Sequence, residues 1–347
     1  MTSPFTAPVV PTDRRYDLLT MGRSSIDLYS NDIGAAFADI KTFGAFVGGC
    51  PTNVSVGARR LGLNAALLTA MGDDPVADFM LKFLDAEGVE TRFVPRKPGF
   101  RTSAVVLGIE PPDKFPLVYY RSRCADIQLT IDDALAAPLT ETRALFLTGT
   151  GLSAEPSRSA TVLAAEQAKA CGAAVILDID FRADQWHDPR AFGVVVRSVL
   201  HLVDIAVGSE DEVKATALRE ASQVSIAHSQ VSDPNVSGDV STAIDALLTC
   251  GVGALVLKQG TAGSCVHLPG GDVVRAAPFP VEVCNILGAG DGYASGLIYG
   301  LLSGWEWQRS LRMANAVGAI LVTRQGCANF MPYEQEALDW IEAHGGF

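Results

Sequence analysis

The sequence lacks the features of a nucleic-acid-binding or membrane protein. Its 347 residues contain 27 lysines and arginines against 39 aspartates and glutamates, for a net charge of −12. A chain this acidic offers no general surface for polyanions, so neither nucleic acid nor an anionic membrane is expected as a partner. The longest apolar runs, near 194–207 and 316–322, are shorter than the ~20 residues that span a bilayer. Residues 1–15 lack the apolar core of a signal peptide, and we expect them to form a flexible tail.

Several motifs of common enzyme classes are also missing. The seven cysteines are scattered and odd in number, and they form no C-x-x-C pair. This pattern favours reduced thiols in a cytoplasmic protein over disulfides or a metal site. The sequence has no G-x-x-x-x-G-K-[ST] phosphate loop, no G-x-G-x-x-G after its first strand and no G-x-S-x-G elbow. These absences argue against a Walker-type nucleotide site, a dinucleotide fold and an α/β-hydrolase site.

Short apolar runs rich in Val, Ile and Leu recur along the chain and end at small or polar residues. They occupy 16–22, 65–72, 144–149, 174–180, 204–209 and 253–260. Helical stretches such as 155–171 and 240–250 separate several of them. The alternation predicts an α/β fold with a mostly parallel central sheet covered by helices on both faces. In such sheets, ligands bind at the carboxyl ends of the strands.

Two segments interrupt the alternation, at about 26–47 and 98–123. Both are typical of β-structure outside the main sheet. A small β lid over the ligand-binding edge explains them, and a decorative hairpin explains them equally well. Residues 219–242 are polar and serine-rich, which predicts a surface loop whose role the sequence does not indicate. No break in composition divides 16–347, so we predict a single domain.

The strongest candidate site is the glycine-rich segment that precedes an apolar helical run at 284–304. Gly288, Ala289 and Gly290 are small enough to expose successive backbone N–H groups, and a helix beginning there adds the positive end of its dipole. These features predict an anion hole. Asp291 beside it can accept a proton from a hydroxyl nucleophile during phosphoryl transfer. The alternative is a glycine turn in which Asp291 caps the helix.

Two further glycine motifs are weaker signals. In the segment 48–62, Gly49 permits close approach of a ligand and Asn53 can cap the following helix, although a plain connection between loop and helix explains both. After the apolar run at 253–260, Gly260 and Gly263 can lie against a nucleotide, or they can form a hairpin turn.

Arg121 lies at the end of the second interrupting segment, and Arg182 follows the run at 174–180. In an acidic protein they suggest a carboxylate or phosphate on the substrate, because a guanidinium fork matches that shape. Structural salt bridges are the alternative.

With these motifs the chain resembles the ribokinase-type, or PfkB-type, carbohydrate kinases from about residue 16 to 333. The early block GGCPTNVSVGARRLG at 48–62 and the late GAGD block at 288–291 carry the resemblance. It implies a ribokinase-like three-layer α/β/α fold with a small β lid. It also implies Mg²⁺-dependent transfer of the ATP γ-phosphate to a sugar hydroxyl. Activation by a monovalent cation such as K⁺, and a homodimer formed through the lid, stay open by analogy.

The resemblance also implies roles for individual residues. Asp291 is the general base, and the backbone of Gly288, Ala289 and Gly290 is the anion hole. The sugar-binding positions are Asp27, Gly49 and Asn53, and the ATP-binding positions are Lys258, Gly260, Gly263 and Asn315. Glu212 keeps the place of a residue that organises magnesium through water. Two positions depart from the family pattern: Ser209 replaces an asparagine, and Ile286 replaces a commoner threonine.

Lid and loop residues narrow the resemblance. The segments 21–30, 111–121, 152–158 and 178–182 resemble family members that phosphorylate 5-dehydro-2-deoxygluconate in inositol breakdown. Related kinases of 2-dehydro-3-deoxygluconate hold the sugar carboxylate with residues that match Tyr119, Arg121 and Arg182. We therefore expect a sugar-acid kinase acting on the terminal hydroxyl. The alternatives are 2-dehydro-3-deoxygluconate or another sugar as substrate and, from another class, a catalytically silent ligand-binding protein of this fold.

Overall fold

The computed structural model describes residues 10–111, 114–231 and 234–347. Its strands, in chain order, are β1 (Tyr16–Met21), β2 (Ser25–Ser30), β3 (Phe43–Gly48), β4 (Ala65–Leu68), β5 (Met71–Gly72), β6 (Arg96–Lys97), β7 (Ser103–Leu107), β8 (Leu117–Tyr120), β9 (Thr142–Thr148), β10 (Ala174–Asp178), β11 (Ile205–Ser209), β12 (Val224–Ser225), β13 (Asn235–Val236), β14 (Ala254–Lys258), β15 (Ser264–His267) and β16 (Val273–Ala276). Its helices are α1 (Cys50–Arg60), α2 (Pro75–Ala86), α3 (Ile131–Leu135), α4 (Ser157–Ala170), α5 (Pro189–Val199), α6 (Glu210–Ala215), α7 (Val240–Thr249), α8 (Ala289–Leu302), α9 (Trp307–Val322) and α10 (Glu334–Ala343). Among the described helices, none combines the length and the apolar character that crossing a bilayer requires.

The central sheet has the strand order β16-β15-β14-β11-β10-β9-β1-β4. Neighbours from β4 to β14 are parallel, whereas β14–β15 and β15–β16 are antiparallel. Each apolar run predicted as a strand contributes one strand to the parallel part, which confirms the predicted mostly parallel sheet. The antiparallel edge was not predicted, because β15 and β16 have only four residues each and carry no clear apolar run.

Two buried clusters cover the faces of this sheet, because successive side chains of a strand point to opposite sides. Leu19 and Met21 of β1 pack with side chains of α4, α5, α6 and α7. Leu18 packs on the other face with side chains of α1, α8, α9 and α10. Helices therefore close both faces, which explains why the strands are apolar throughout and confirms the three-layer arrangement.

Helix α8 packs at very short range against α1 and α9. A Cβ atom on Gly57 of α1 would lie 2.3 Å from the Ser295 Oγ of α8. A Cβ atom on Gly296 of α8 would lie 2.8 Å from the Met313 carbonyl oxygen of α9. Neither distance is compatible with a side chain, so glycine at both positions lets the helices approach. This packing holds the first turn of α8 in place beside the sheet edge.

A second sheet, in the order β3-β2-β7-β8, forms the predicted lid. Strand β2 pairs antiparallel with β3 and parallel with β7, and β7 pairs antiparallel with β8. The segments predicted at 26–47 and 98–123 supply these strands. Tyr29, Val105 and Phe115 are buried in a separate cluster beneath this sheet, so the lid has a small core of its own.

The segment before β1 contacts the body of the protein. The Arg14 guanidinium donates to the Cys171 carbonyl oxygen at 2.9 Å, and Arg143 donates to the Pro11 carbonyl oxygen at 2.6 Å. Residues 10–15, predicted as part of a flexible tail, are therefore anchored by arginines, and the rest of that predicted tail lies outside the described residues. We propose that 16–347 form one domain, because helices from both halves of the chain close the same sheet.

The predicted polar loop at 219–242 contains regular structure and contacts the lid. Strands β12 and β13 pair antiparallel within it, and α7 begins at Val240. The Ser229 carbonyl oxygen accepts a hydrogen bond from the Leu117 N–H of β8 at 3.2 Å. Residues 232–233 of this loop lie outside the described residues.

Candidate active site

A cavity of about 340 Å³ lies between the carboxyl edge of the parallel strands, the lid and the start of α8. Asp178, Ser209 and Lys258 line it, and they are the last residues of β10, β11 and β14. This is the edge at which parallel sheets bind their ligands. The full lining comprises Arg23, Asp27, Gly49, Cys50, Asn53, Val105, Leu117, Tyr119, Asp178, Asp180, Arg182, Ser209, Glu212, Lys258, Gly260, Ile286, Leu287, Gly288, Ala289, Gly290, Asp291 and Cys327.

Gly288 shapes the first turn of α8. Its φ of +86° is left-handed, and a Cβ atom there would lie 2.8 Å from the Cys327 Sγ, so glycine is needed for both reasons. The Ala289 N–H already donates to the Ile286 carbonyl oxygen at 3.2 Å. Within the described residues, the N–H groups of Gly290 and Asp291 find no acceptor. Together with the positive end of the helix, these two groups can bind an anion.

Asp291 lies in the first turn of α8 and faces α1. Its Oδ2 accepts a hydrogen bond from the Asn53 Nδ2 at 2.6 Å. Burial raises the pKa of Asp291, and hydrogen bonds from Cys50 and Asn53 oppose that rise. The Asn53 Oδ1 is buried and has no hydrogen-bond partner in the part of the chain described. A carboxylate that is held in place by an amide and whose pKa is raised by burial is suited to accept a proton.

The two glycines before α1 bring the backbone against β2. A Cβ atom on Gly48 would lie 1.9 Å from the Asp27 Oδ2, and one on Gly49 would lie 2.4 Å from the Arg23 carbonyl oxygen. Gly49 also has a φ of +102°, which disfavours other residues. The double glycine is therefore required by both space and backbone conformation.

Asp27 is 3% exposed and points toward the cavity from β2. Its two oxygens accept hydrogen bonds from the Ser25 Oγ at 2.6 Å and from the Tyr29 hydroxyl at 2.7 Å. Burial raises the pKa of Asp27, although the Arg23 charge and both hydrogen bonds lower it. The hydroxyl donors hold the carboxylate in one orientation, with lone pairs left for a ligand.

Lys258 and two carboxylates form a charge cluster beside the cavity. The Lys258 Nζ lies 3.5 Å from the Asp178 Oδ2 and 3.4 Å from the Glu212 Oε2. The Ser209 N–H donates to the Glu212 Oε2 at 2.7 Å, and the Ser209 Oγ accepts from the Glu212 N–H at 3.2 Å. This reciprocal capping box orients Glu212 even though serine replaces the family's asparagine. Burial raises the pKa of Glu212, but the charges of Lys258 and Arg182 outweigh it and the net shift is downward.

Arg182 reaches the cavity from the segment after β10. Its Nη2 lies 2.8 Å from the Asp180 Oδ1, and Asp180 has a left-handed φ of +41°. Its Nε is buried and unpartnered among the described residues. Burial raises the pKa of Tyr119, and the nearby charges of Arg182 and Arg23 oppose that rise. The predicted substrate residues Tyr119 and Arg182 therefore meet in the cavity.

Arg121 does not line this cavity. Its Nε donates to the Asp126 Oδ2 at 2.7 Å, and its Nη1 donates to the Thr150 carbonyl oxygen at 3.2 Å. The side chain is buried with these partners, as the salt-bridge alternative expected. Arg23 faces the cavity in its stead. Arg23 was not among the predicted site residues, and the available signal was its position two residues after the end of the buried strand β1.

The predicted ATP residues lie in two places. Gly260 lines the cavity beside Lys258, and no atom within 4 Å would oppose a Cβ on it. Gly263 has a φ of +89°, and its Cβ would lie 2.3 Å from the Ala276 carbonyl oxygen, so it lets β14 and β15 turn against β16. Asn315 of α9 donates to the same carbonyl at 3.2 Å. Neither Gly263 nor Asn315 lines the cavity, and their contacts with ATP stay predictions.

Curated proteins with assigned names resemble this chain over almost its whole length. A 5-dehydro-2-deoxygluconokinase from Clostridium tetani is 30% identical over 334 residues, covering 95% of this chain and 95% of that protein. A protein of the same name from Clostridium perfringens is 30% identical over 330 residues, covering 95% of this chain and 94% of its own length.

Solved structures share the fold. A fructokinase double mutant from Vibrio cholerae O395, with fructose, ADP and potassium ion bound, has a TM-score of 0.80 at 23% identity and covers 95% of this chain and 99% of that one. A ribokinase II from E. coli in complex with ATP and Mg²⁺ has a TM-score of 0.80 at 22% identity, over 95% of this chain and 100% of that one. The model of the pfkB family carbohydrate kinases matches residues 16–334. The chain therefore belongs to the pfkB family of carbohydrate kinases, which are phosphotransferases acting on sugars.

Proposed function

We propose that this protein uses ATP to phosphorylate the terminal hydroxyl of 5-dehydro-2-deoxygluconate. One observation carries the proposal: a single cavity contains Asp291 held by Asn53, open N–H groups at the start of α8, and the guanidinium groups of Arg23 and Arg182. The carboxylate and the N–H groups suit phosphoryl transfer to a hydroxyl. The guanidinium groups suit a sugar that carries a carboxylate. The names of the two clostridial relatives support the same substrate.

In the proposed reaction Asp291 is the general base. The Asn53 amide fixes one carboxylate oxygen at 2.6 Å, and the carboxylate keeps lone pairs that can accept the proton of the sugar hydroxyl. The hydroxyl oxygen bonds to the γ-phosphorus, the bond from that phosphorus to the β–γ bridging oxygen breaks, and ADP leaves. The N–H groups of Gly290 and Asp291 stabilise negative charge on the transferring group. The proposed anion hole thus uses Gly290 together with Asp291, since the Ala289 N–H is already bonded.

The sugar is proposed to lie between β2 and the start of α1. Asp27 offers carboxylate oxygens there, and Gly49 allows close approach of its backbone. The unpartnered Asn53 Oδ1 favours a donor, because buried polar atoms without partners are rare, and a sugar hydroxyl is one. Tyr119 and Arg182 face the same space from the lid and from the sheet edge.

ATP and Mg²⁺ are proposed to bind beside Lys258 and Gly260. The donor set fits Mg²⁺, which takes one or two carboxylates together with phosphate oxygens and waters, and the carboxylates of Asp178 and Glu212 line the cavity. Within the described residues, no group of three or more His, Cys, Asp or Glu side chains forms a cage made by protein alone. When bound, Mg²⁺ neutralises charge on the β- and γ-phosphates.

Activation by K⁺ stays a prediction, tested by exchanging K⁺ for Na⁺ in the kinase assay.

A homodimer through the lid is the proposed assembly. Five of the large exposed apolar side chains belong to the lid segments, namely Ile33, Phe37, Phe43, Val118 and Tyr120. Phe43 lies on β3 and Val118 and Tyr120 on β8, the two edge strands of the lid sheet, and Ile33 and Phe37 lie in the connection between β2 and β3. Exposed apolar side chains of this kind can mark an interaction surface. Sedimentation should therefore give twice the chain mass, and Val118→Lys should shift the protein to a monomer; a wild-type monomer would contradict the assembly.

The seven free thiols and the use of ATP support a cytoplasmic location, which cell fractionation tests.

The test of the substrate is ADP release from Mg·ATP with 5-dehydro-2-deoxygluconate, 2-dehydro-3-deoxygluconate, ribose and fructose. We expect the highest kcat/KM with the first compound. A higher kcat/KM with another sugar would contradict the proposed substrate but not the kinase activity. Thermal stabilisation by a sugar without any ADP release would indicate a catalytically silent binder.

A further inference from the structure

The cations that line the cavity differ in how their charges are balanced. The Lys258 Nζ lies within 3.5 Å of carboxylate oxygens of Asp178 and Glu212, and the Arg182 Nη2 lies 2.8 Å from the Asp180 Oδ1. Arg23 lines the same cavity, yet no carboxylate oxygen of the described residues lies within 4.0 Å of its guanidinium. The charges of Asp27 and Asp180 act on Arg23 from beyond that distance. No described carboxylate therefore makes the direct, charge-assisted contact with Arg23 that an anionic ligand can make.

Arg23 also has few hydrogen bonds of its own. The residue is 8% exposed, its Nη1 donates to the Ser25 Oγ at 2.9 Å, and its Nε is buried without an acceptor in the part of the chain described. Hydrogen bonds connect Arg23 to Asp27 only through the Ser25 hydroxyl, which donates to the Asp27 Oδ1 at 2.6 Å. A guanidinium has five N–H donors, so most of them are left for a ligand.

Tyr119 shares the cavity with Arg23 and Arg182. The Arg23 guanidinium lies 5.0 Å from the centre of the Tyr119 ring, and the charges of Arg182 and Arg23 both act on the Tyr119 hydroxyl. Two guanidinium groups therefore converge around one tyrosine. Each retains an unpartnered Nε among the described residues, which suits an anion with more than one acceptor oxygen.

We propose that Arg23 binds the carboxylate of the substrate together with Arg182, and that it makes the enzyme specific for sugar acids. This inference rests on the proposed function, because it assigns a residue to the carboxylate of the proposed substrate. It also replaces Arg121 in that role, since Asp126 already balances the charge of Arg121.

The test compares the sugar acid with its primary carboxamide in the wild type and in Arg23→Met. Losing charge-assisted hydrogen bonds should lower kcat/KM for the acid by about 10- to 150-fold, mainly through KM. We expect kcat/KM for the carboxamide, and KM for ATP, to change less than about 3-fold, since neither depends on the carboxylate. The matched control is Arg158→Met, because the Arg158 guanidinium donates to the carbonyl oxygens of Leu152 and Ser153 and does not line the cavity.

The possible outcomes distinguish a failure of the proposed function from a failure of the role proposed for Arg23. A wild type without turnover of the acid would overturn the proposed function and the role of Arg23 with it. A wild type active on the acid, with equal losses on acid and carboxamide in Arg23→Met, would overturn the role of Arg23 alone. A rise in the ATP KM equal to that for the acid would assign Arg23 to a phosphate and would also contradict the proposal. If Arg23→Met does not fold, Arg23→Lys decides, and the proposal then requires a loss selective for the acid.

Discussion

Asp291→Asn tests the proposed base with the least structural disturbance. The amide is nearly isosteric with the carboxylate, and its oxygen can still accept the 2.6 Å hydrogen bond from Asn53. A positioned general base contributes about 10²- to 10⁴-fold to the rate. At about 1.36 kcal/mol for each tenfold, the variant should lose about 3–5 kcal/mol of transition-state stabilisation. The fall should be in kcat, with KM for the sugar changed much less, because the substituted group acts on the reacting hydroxyl.

The same substitution should not cost stability near neutral pH. Burial raises the pKa of Asp291 in the folded protein, so the protonated form is favoured on folding. The stability that this proton provides is present below the unfolded pKa and is lost as the pH rises through the folded pKa. Burial therefore disfavours the carboxylate form, and Asp291→Asn, which carries no charge, should unfold at the same or a higher temperature.

Asp188 offers a control of opposite sign. Hydrogen bonds from Arg190 lower the pKa of this exposed aspartate to about 2. Asp188→Asn should therefore reduce stability slightly at neutral pH and leave turnover unchanged. Steady-state ADP release and thermal unfolding between about pH 4 and pH 8 measure both effects. Turnover of Asp291→Asn within about tenfold of the wild type would refute the assignment of the base.

The remaining predictions concern the surroundings of the base. Gly48→Ala should impair sugar binding, because its Cβ would lie 1.9 Å from the Asp27 Oδ2; an unchanged sugar KM would contradict the role of Asp27. Asn53→Ala removes a hydrogen bond that lowers the pKa of Asp291, so the acid limb of kcat/KM should move to higher pH, and a shift to lower pH would refute this reasoning. Arg121→Met removes the buried salt bridge between Arg121 and Asp126. It should lower the free energy of unfolding by about 3–5 kcal/mol in denaturant titrations. A selective rise in sugar KM without loss of stability would return Arg121 to the substrate site.

The parallel sheet and the proposed base were predictable because their signals are local. Each buried parallel strand appears as an apolar run that ends at a small or polar residue, and Asp178 and Lys258 are polar strand ends of this kind. Asp291 stands in a glycine context that itself specifies the turn, as the left-handed Gly288 demonstrates. The short antiparallel strands β15 and β16 have no comparable signal, since neither carries a clear apolar run.

The contacts of Arg121 and Arg23 could not be predicted from the sequence. Tyr119 and Arg121 are two apart, and residues at that spacing share one face of a strand. Strand β8 ends at Tyr120, however, so Arg121 lies beyond it and turns toward Asp126. Arg23 lies far earlier in the chain, just before β2, and meets Tyr119 through the pairing of β2 with β7 and of β7 with β8. No local sequence pattern predicts the contact between Arg23 and Tyr119, because the partners of a buried charge depend on tertiary contacts.

The most direct test of the central claim is the phosphorus NMR spectrum of the product, recorded with proton coupling. Wild-type protein with Mg·ATP and 5-dehydro-2-deoxygluconate should yield ADP and an equal amount of a phosphomonoester whose signal is split by the two protons of a terminal methylene. Inorganic phosphate in place of the ester, an ester on a secondary carbon, or unchanged ATP would each contradict the proposed transfer to the terminal hydroxyl.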